Sequence, residues 1–411
     1  MCSPRACGAT SRNGASWRSA PTSRSSSSTV SRIARLAFRG INVTPKTNWA
    51  FLEVTTEDGL TGLGECTLAN NEPLLEAEAA RLAANVAGED ARQRNRLARL
   101  IPHAPGGLVA ATVLSAFEQA LCDLAAQRAG QPLHLFLGGA LRDPVRLYAN
   151  INRGANPRSP DGFAAAARRA VEQGFGAVKL APFEPLVWED GFSETNRAAY
   201  AEGLARIAAV RAAVGPGVEV MVDAHWRFSP GGAAGLVRDV AEFRLFWLEC
   251  PVAEANRAEI RRLRGMANDR GMRLAGAESL AGLAAYRPVI EAGCYDVLMP
   301  DAKHAGGIEE IRRIAALAQT AGVEIGPHNP TGPVCHAHSV HLCSVIPNFL
   351  LLEVQFGETE AFFDMVEGES LRFVQGAAPL PQAPGLGIRL GPGPHAPWKR
   401  MDRPWLDPRL G

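Results

Sequence analysis

Val218-Glu219-Val220-Met221-Val222-Asp223 is a short run of apolar and β-branched residues that stops on a carboxylate. Leu245-Phe246-Trp247-Leu248-Glu249 repeats the pattern, as does Arg273-Leu274-Ala275-Gly276-Ala277-Glu278. Asp296-Val297-Leu298-Met299-Pro300-Asp301, Val323-Glu324-Ile325-Gly326-Pro327-His328 and Leu350-Leu351-Leu352-Glu353 continue it. The residues that close these runs stand 26, 29, 23, 27 and 25 positions apart, about the length of one strand–helix unit. Upstream, Val145-Arg146-Leu147-Tyr148 and Ala177-Val178-Lys179-Leu180 have the same texture, and Ala-rich amphipathic stretches fill the intervals. Eight strands alternating with helices read as a (β/α) barrel, whose active site lies on the rim where the strands end.

Outward from this core, residues 32–143 read as a separate α+β domain. Trp49-Ala50-Phe51-Leu52-Glu53-Val54 alternates, Glu57-Asp58-Gly59 turns, and Leu60-Thr61-Gly62-Leu63-Gly64-Glu65 returns as a hairpin. Residues 74–140 follow with helical periodicity. The barrel is expected over 144–356, and 357–411, Pro/Gly-rich near its end, is expected to fold back on the first domain. Residues 1–31 differ: Arg- and Ser-rich, with no acidic residue before Glu53, they resemble a transit segment and are expected to be a disordered or spurious leader outside the fold.

Composition narrows the function classes. Lys+Arg 43 against Asp+Glu 42 leaves a net charge of +1, which offers no field for nucleic acid or an anionic membrane surface. No apolar run is expected to span a bilayer. Eight cysteines without a CxxC pair argue against zinc ribbons and disulfide scaffolds, and are expected to be buried thiols in a reducing, cytoplasmic setting.

The rim residues carry the chemistry. Asp223, Glu249 and Glu278 end three successive strands, where each could cap the following helix; three neighbouring carboxylates at the barrel stride point instead to a hard divalent cation such as Mg²⁺. Asp301 and His328 end adjacent strands, so the carboxylate can orient the imidazole as a general base. His225, two residues past Asp223 and expected on the same side of that strand, is a candidate general acid. Lys179 is expected to neutralise a bound carboxylate, and the Gly306-Gly307 pair to bring backbone amides to an anionic ligand. Glu353 reads as a capping or salt-bridging carboxylate. Pro45-Lys46-Thr47-Asn48-Trp49 is expected to cover the barrel mouth, with Asn48 and Trp49 touching the far end of a substrate. His336, His338 and His341, at helical spacing, read as helix surface or core.

Asp223-Ala224-His225, Trp247-Leu248-Glu249-Cys250-Pro251, Gly276-Ala277-Glu278-Ser279, Met299-Pro300-Asp301-Ala302-Lys303-His304-Ala305-Gly306-Gly307 and Pro327-His328-Asn329-Pro330 follow one another in a specific order. From about Ile33 to Ile388 the chain resembles the enolase superfamily, in its mandelate racemase-like group, and within it the galactonate dehydratase-type sugar-acid dehydratases. The resemblance implies a modified (β/α)7β barrel with a capping domain, Mg²⁺ held by Asp223, Glu249 and Glu278, the Asp301–His328 dyad as base, and Glu353 as a donor to an enediolate. It also implies a homo-oligomer acting on a small acid sugar. Racemases of the group carry Lys-x-Lys on the second strand, whereas this chain has Lys179-Leu180-Ala181. The muconate-lactonising branch has Lys where Asp301 stands, and Lys303 falls two positions late. One base, with His225 as acid, favours dehydration of a sugar acid to its 2-keto-3-deoxy derivative over racemisation or epimerisation of an α-substituted carboxylate, and over a catalytically silent sugar-acid binder.

Overall fold

A computed structural model describes residues 31–99, 107–187, 191, 193–392 and 395–400. The leader expectation, apart from Ser31, lies outside the described residues. The first domain is an antiparallel sheet in the order β1 (Ile33–Thr44), β2 (Thr47–Thr56), β3 (Thr61–Glu65), with α1 (Glu72–Val86), α2 (Arg94–Arg99) and α3 (Gly107–Arg128) beside it. The β2–β3 turn is set by Gly59 at φ 86° and by Thr56, whose hydroxyl donates to Asp58 at 2.6 Å. The sequence reading had no β1, because its twelve residues lack a clean in–out alternation: most are only partly buried.

Gly62 and Gly64 decide how α3 meets this sheet. A Cβ on Gly64 would stand 1.9 Å from the Ala116 carbonyl oxygen, and one on Gly62 would stand 2.2 Å from that of Ala120. Two same-face glycines on the strand therefore meet two alanines one helical turn apart, and the two backbones press together. By length and composition α3 is apolar enough to cross a membrane, which corrects the expectation of no such run; 67% of its most apolar window is buried within the protein.

After the short helix α4 (Leu133–Phe136), strand and helix alternate. The sequence runs β4 (Val145–Asn150), α5 (Pro160–Glu172), β5 (Ala177–Leu180), α6 (Glu194–Val214), β6 (Glu219–Asp223), α7 (Pro230–Asp239), β7 (Trp247–Glu249) and α8 (Arg257–Asn268). It continues as β8 (Arg273–Gly276), α9 (Leu283–Glu291), β9 (Val297–Leu298), α10 (Ile308–Thr320), β10 (Glu324–Ile325), α11 (Pro333–Val345) and β11 (Leu352–Gln355). The strands pair in parallel in the order β10-β9-β8-β7-β6-β5-β4-β11. Ile325 and Phe349 bridge the remaining edge, and the Leu350 amide donates to the Ile325 carbonyl at 2.8 Å. Eight strands with seven intervening helices make the (β/α)7β barrel. Tyr148, Met221, Trp247, Val297, Met299 and Leu351 fill its interior, while a second apolar layer lies between strands and helices.

The chain beyond β11 forms α12 (Ala361–Asp364), β12 (Val366–Gly368), β13 (Ala377–Ala378) and β14 (Ile388–Leu390). Leu133 and Leu386 bind it to the first domain through Leu133 N–H to Gly385 O and Leu386 N–H to Asp123, each at 2.8 Å. β13 also runs antiparallel to the start of β4. All six cysteines among the described residues are free and buried.

The α3 contact generates a stability test. Gly64→Ala forces the helix off the strand and is expected to cost about 1–3 kcal/mol by urea denaturation, whereas Gly217→Ala, which meets nothing within 4 Å, should fall within about 0.5 kcal/mol of the parent. Equal stabilities would show that the close approach is not required.

Candidate active site

Asp223 and Glu249 are the last residues of β6 and β7 and are register partners in the parallel ladder, so their carboxylates project side by side. Glu278 lies two residues past β8, reached through Ala277 at φ 73°. The three groups offer oxygens that all lie within 4.8 Å of one another. Non-glycine left-handed residues gather here: His225 (φ 46°), Trp226 (φ 54°), Cys250 (φ 44°) and Ala277. Each costs of order 1–3 kcal/mol, and together they turn the chain sharply at the ends of β6, β7 and β8.

The structure distinguishes the two readings of these carboxylates. Ser229 caps α7 through the Gly232 amide at 3.2 Å, and Asn256 caps α8 through the Glu259 amide at 3.3 Å. Glu310 accepts the first amide of α9, from Leu283, at 2.8 Å. Asp223, Glu249 and Glu278 therefore cap none of the helices that follow them. Asp223 accepts from the His225 amide at 2.9 Å and lies 2.7 Å from His225 Nε2. Glu249 accepts from Lys179 Nζ at 2.7 Å and Trp247 Nε1 at 3.0 Å. Glu278 Oε2 is buried with no hydrogen-bond partner. Burial, then the charges of Asp223 and Glu249, push the Glu278 carboxyl well above its ordinary range, and burial carries Glu249 up to about 7. Asp223 goes the other way: burial opposes its charge, but His225 and Lys179 hold it at about 2. An all-oxygen donor set with one orphaned oxygen fits a hard divalent cation such as Mg²⁺.

His328 Nδ1 lies 2.7 Å from Asp301 Oδ2, and its Nε2 lies 3.7 Å from Glu278 Oε2. One ring nitrogen is thus held by the carboxylate and the other stands beside the triad. Asp301 is fully buried; burial opposes its charge, but Lys303 and His304, with the His328 hydrogen bond, hold it well below the usual carboxylate range. Lys303, set aside in the sequence as two positions late, reaches back to Asp301 Oδ2 at 2.6 Å. His304, which the sequence reading did not single out, has its Nδ1 2.8 Å from the Thr112 hydroxyl; burial brings it down to about 4.

His225 reaches the site by another route than strand alternation. The strand stops at Asp223, and the left-handed His225 backbone folds the ring back onto that carboxylate. Burial works against its charge, yet Asp223 raises it above the ordinary imidazole value. It lines a cavity of about 470 Å³ together with Lys179, Asp223, Glu278 and His328.

Two expectations, Trp49 and the Gly306-Gly307 pair, need correction, and Glu353 has partners that the resemblance did not give. Glu353 was expected to donate to an enediolate. It is fully buried and accepts at both oxygens, from Asn150 Nδ2 at 2.7 Å and the Asn329 amide at 3.0 Å, with Lys179 Nζ at 2.9 Å. Burial opposes its charge, but Lys179 and His328 lower it; it holds Lys179 and does not line the cavity. Trp49 is 2% exposed and packs edge-on against Phe362; Thr44, Pro45, Lys46, Thr47 and Asn48 line the mouth instead. The Gly306-Gly307 pair meets a carboxyl group of the protein itself, since Glu118 accepts from the Ile308 amide at 2.6 Å. His336, His338 and His341 are core residues of α11, held by burial at about 3, 4 and 3.

Replacing Glu249 with Gln keeps size and removes one anion. Mg²⁺ affinity by calorimetry is expected to fall about 100-fold or more; an unchanged affinity would make the triad structural.

Comparison with known proteins places the chain. Residues 32–138 match the mandelate racemase / muconate lactonizing enzyme N-terminal domain, and residues 162–393 match the enolase C-terminal domain-like family. A D-galactonate dehydratase of Verminephrobacter eiseniae is 31% identical over 350 residues, 83% of this chain and 88% of that protein. A D-gluconate dehydratase of Thermoproteus tenax is 34% identical over 278 residues, 68% of this chain, and the match spans 54% of that protein's length. Among solved structures, a mandelate racemase/muconate lactonizing enzyme-like protein of Rubrobacter xylanophilus superposes with a TM-score of 0.79 at 30% identity, covering 88% of this chain and 96% of that one. An enolase of Agrobacterium radiobacter, crystallised with Na and L-malate, gives a TM-score of 0.77 at 26% identity, over 91% and 98%.

Proposed function

The chain is an enzyme of the enolase superfamily, in its mandelate racemase / muconate lactonizing group, and from that premise we propose that it is a Mg²⁺-dependent hydro-lyase that converts a sugar acid to its 2-keto-3-deoxy derivative. The observation that carries the reading is the Asp301–His328 pair at 2.7 Å, with the second imidazole nitrogen beside the carboxylate triad, two of whose members, Asp223 and Glu278, line the same cavity as His328. The galactonate and gluconate dehydratases at about 30% identity support it.

Asp223, Glu249 and Glu278 would hold Mg²⁺. When bound, the ion supplies positive charge for the substrate carboxylate and for the anion derived from it. His328 donates its Nδ1 proton to Asp301, which leaves Nε2 with the lone pair that removes the C2 proton. The electrons of that C–H bond move into the carboxylate as an enediolate, close to the Lys179 ammonium, itself anchored by Glu249 and Glu353. His225 then gives a proton to the C3 oxygen, the C3–O bond breaks, water leaves, and the enol product tautomerises to the 2-keto acid. The single-base arrangement supports this over racemisation. Lys179 is 1% exposed and bound to two carboxylates, and position 181 is alanine.

A panel of aldonates and other acid sugars, assayed for 2-keto acid, tests the reaction. His328→Asn is expected to lose both product and exchange of the C2 proton with deuterated solvent, since general acid–base help is worth roughly 10²–10⁴-fold. His225→Asn should keep exchange on a true substrate while losing most dehydration, and a 3-fluoro substrate should partly restore turnover. If His225→Asn loses exchange as fully as His328→Asn while still binding Mg²⁺, the two-base epimerase reading takes precedence.

A further inference from the structure

Helices α5 to α8 carry their own N-caps: Ser159, Ser193, Ser229 and Asn256 each accept an amide of the first turn at 3.1–3.3 Å. Helices α10 and α11 have none, because Gly307 and Gly332 occupy their cap positions. Their first amides are instead taken by two carboxylates of the capping domain. Glu118 of α3 accepts from Ile308 at 2.6 Å and from Glu309 at 3.3 Å. Glu65, at the end of β3, accepts from the Gly332 amide at 2.7 Å, the Cys335 amide at 2.9 Å and the Thr331 hydroxyl at 2.6 Å.

Both glycines are needed for this approach. A Cβ on Gly307 would stand 2.1 Å from Glu118 Oε2, and one on Gly332 would stand 2.9 Å from Glu65 Oε1. The segment that follows Asp301 is bound to α3 at two more points. Gln119 Nε2 donates to the Ala302 carbonyl at 2.8 Å, and the Gly306 amide donates to Ser115 Oγ at 2.9 Å. These two trans-capped helices are the ones that follow the strands bearing Asp301 and His328. The strands carrying Asp223 and Glu249 lead into helices that cap themselves.

We infer that Glu65 and Glu118 are positioning residues: from the capping domain they fix the two loops that carry the base dyad, and so set the Asp301–His328 separation. This rests on the dehydratase reading for its kinetic consequence, but not for its geometry. A carboxylate at a helix N-terminus accepts charge-assisted hydrogen bonds and meets the positive end of the helix. Each clamp is therefore stiff where the dyad needs it. The domain that covers the cavity with Thr44–Asn48 is also the one that aligns the base.

The test uses the full chain loaded with Mg²⁺ and three variants, Glu65→Gln, Glu118→Gln and, as a control, Ser193→Ala, which removes a self-cap remote from the dyad. The first readout is the downfield imidazole proton of His328, assigned by its loss in His328→Asn. The second is kcat against KM on whichever acid sugar of the panel turns over. Glu65→Gln and Glu118→Gln are expected to shift or broaden the imidazole signal and to lower kcat about tenfold or more, with KM and Mg²⁺ affinity unchanged. Ser193→Ala should lower the melting temperature and leave both readouts alone. If either glutamine variant does not fold, Thr331→Val or Glu118→Asp weakens the same contact and is read the same way. Glutamine variants that lose melting temperature as Ser193→Ala does, yet keep the signal and kcat, overturn the inference. A parent enzyme that dehydrates no acid sugar overturns the reaction instead, and the imidazole signal still decides the clamp.

Discussion

Asp223 and Glu249 end adjacent parallel strands in register, and that pairing leaves their carboxylates no room to separate. At the spacing observed for the triad, two like charges repel by roughly 3–4 kcal/mol with an effective dielectric of 20. Glu278 adds a third carboxyl, which burial and these two charges push well above its ordinary range, and Asp301 and Glu353 lie buried close by, against the ammonium groups of Lys179 and Lys303. Much of the local architecture answers this excess of anions. Lys179 is shared between Glu249 and Glu353, Lys303 is given wholly to Asp301, and His225 leans on Asp223. The charge that remains is of the kind a hard divalent cation would neutralise, as in the proposed reaction.

The barrel was legible because its periodicity is coarse. A carboxylate or imidazole closing an apolar run every 23 to 29 residues survives errors of two or three residues in each strand boundary. The Asp301–His328 pair followed from adjacency of strands alone. What failed was finer. β9 and β10 hold only two residues each, so Asp301 and His328 stand three residues beyond their strands and owe their positions to loop geometry. His225 met Asp223 through a left-handed turn, a conformation that neither period nor propensity reveals. Glu353 was placed by resemblance, which carries a residue's position but not its partners. Its three neighbouring donors, Lys179, Asn150 and Asn329, come from three separate stretches of chain.

Glycine was the least legible signal. Gly62 and Gly64 looked like a hairpin's return strand and Gly306-Gly307 like an anion cradle. In each case the missing side chain makes way for another part of the protein: the backbone of α3 in the first, the Glu118 carboxylate in the second. Sequence shows that something approaches closely, and only the fold shows what. The same holds for α3, whose apolar length would suit a bilayer but whose alanines are there to lie flat against a glycine strand.

These contacts give one helix two jobs that pull in the same direction. Toward the sheet, α3 offers small apolar residues, Ala116 and Ala120, which allow backbone contact and leave little freedom to slide. Toward the barrel it offers Thr112, Ser115, Glu118 and Gln119, each bonded to the segment from Ala302 to Glu309. A helix seated so tightly on one side transmits little play to the other. The carboxylates that bridge the domains act by helix capping, the role that the triad carboxylates do not take. On one rim, then, the same side-chain type serves as mechanical anchor where a helix begins beside it and stands in a clustered triad suited to a cation where the helices are capped by other residues.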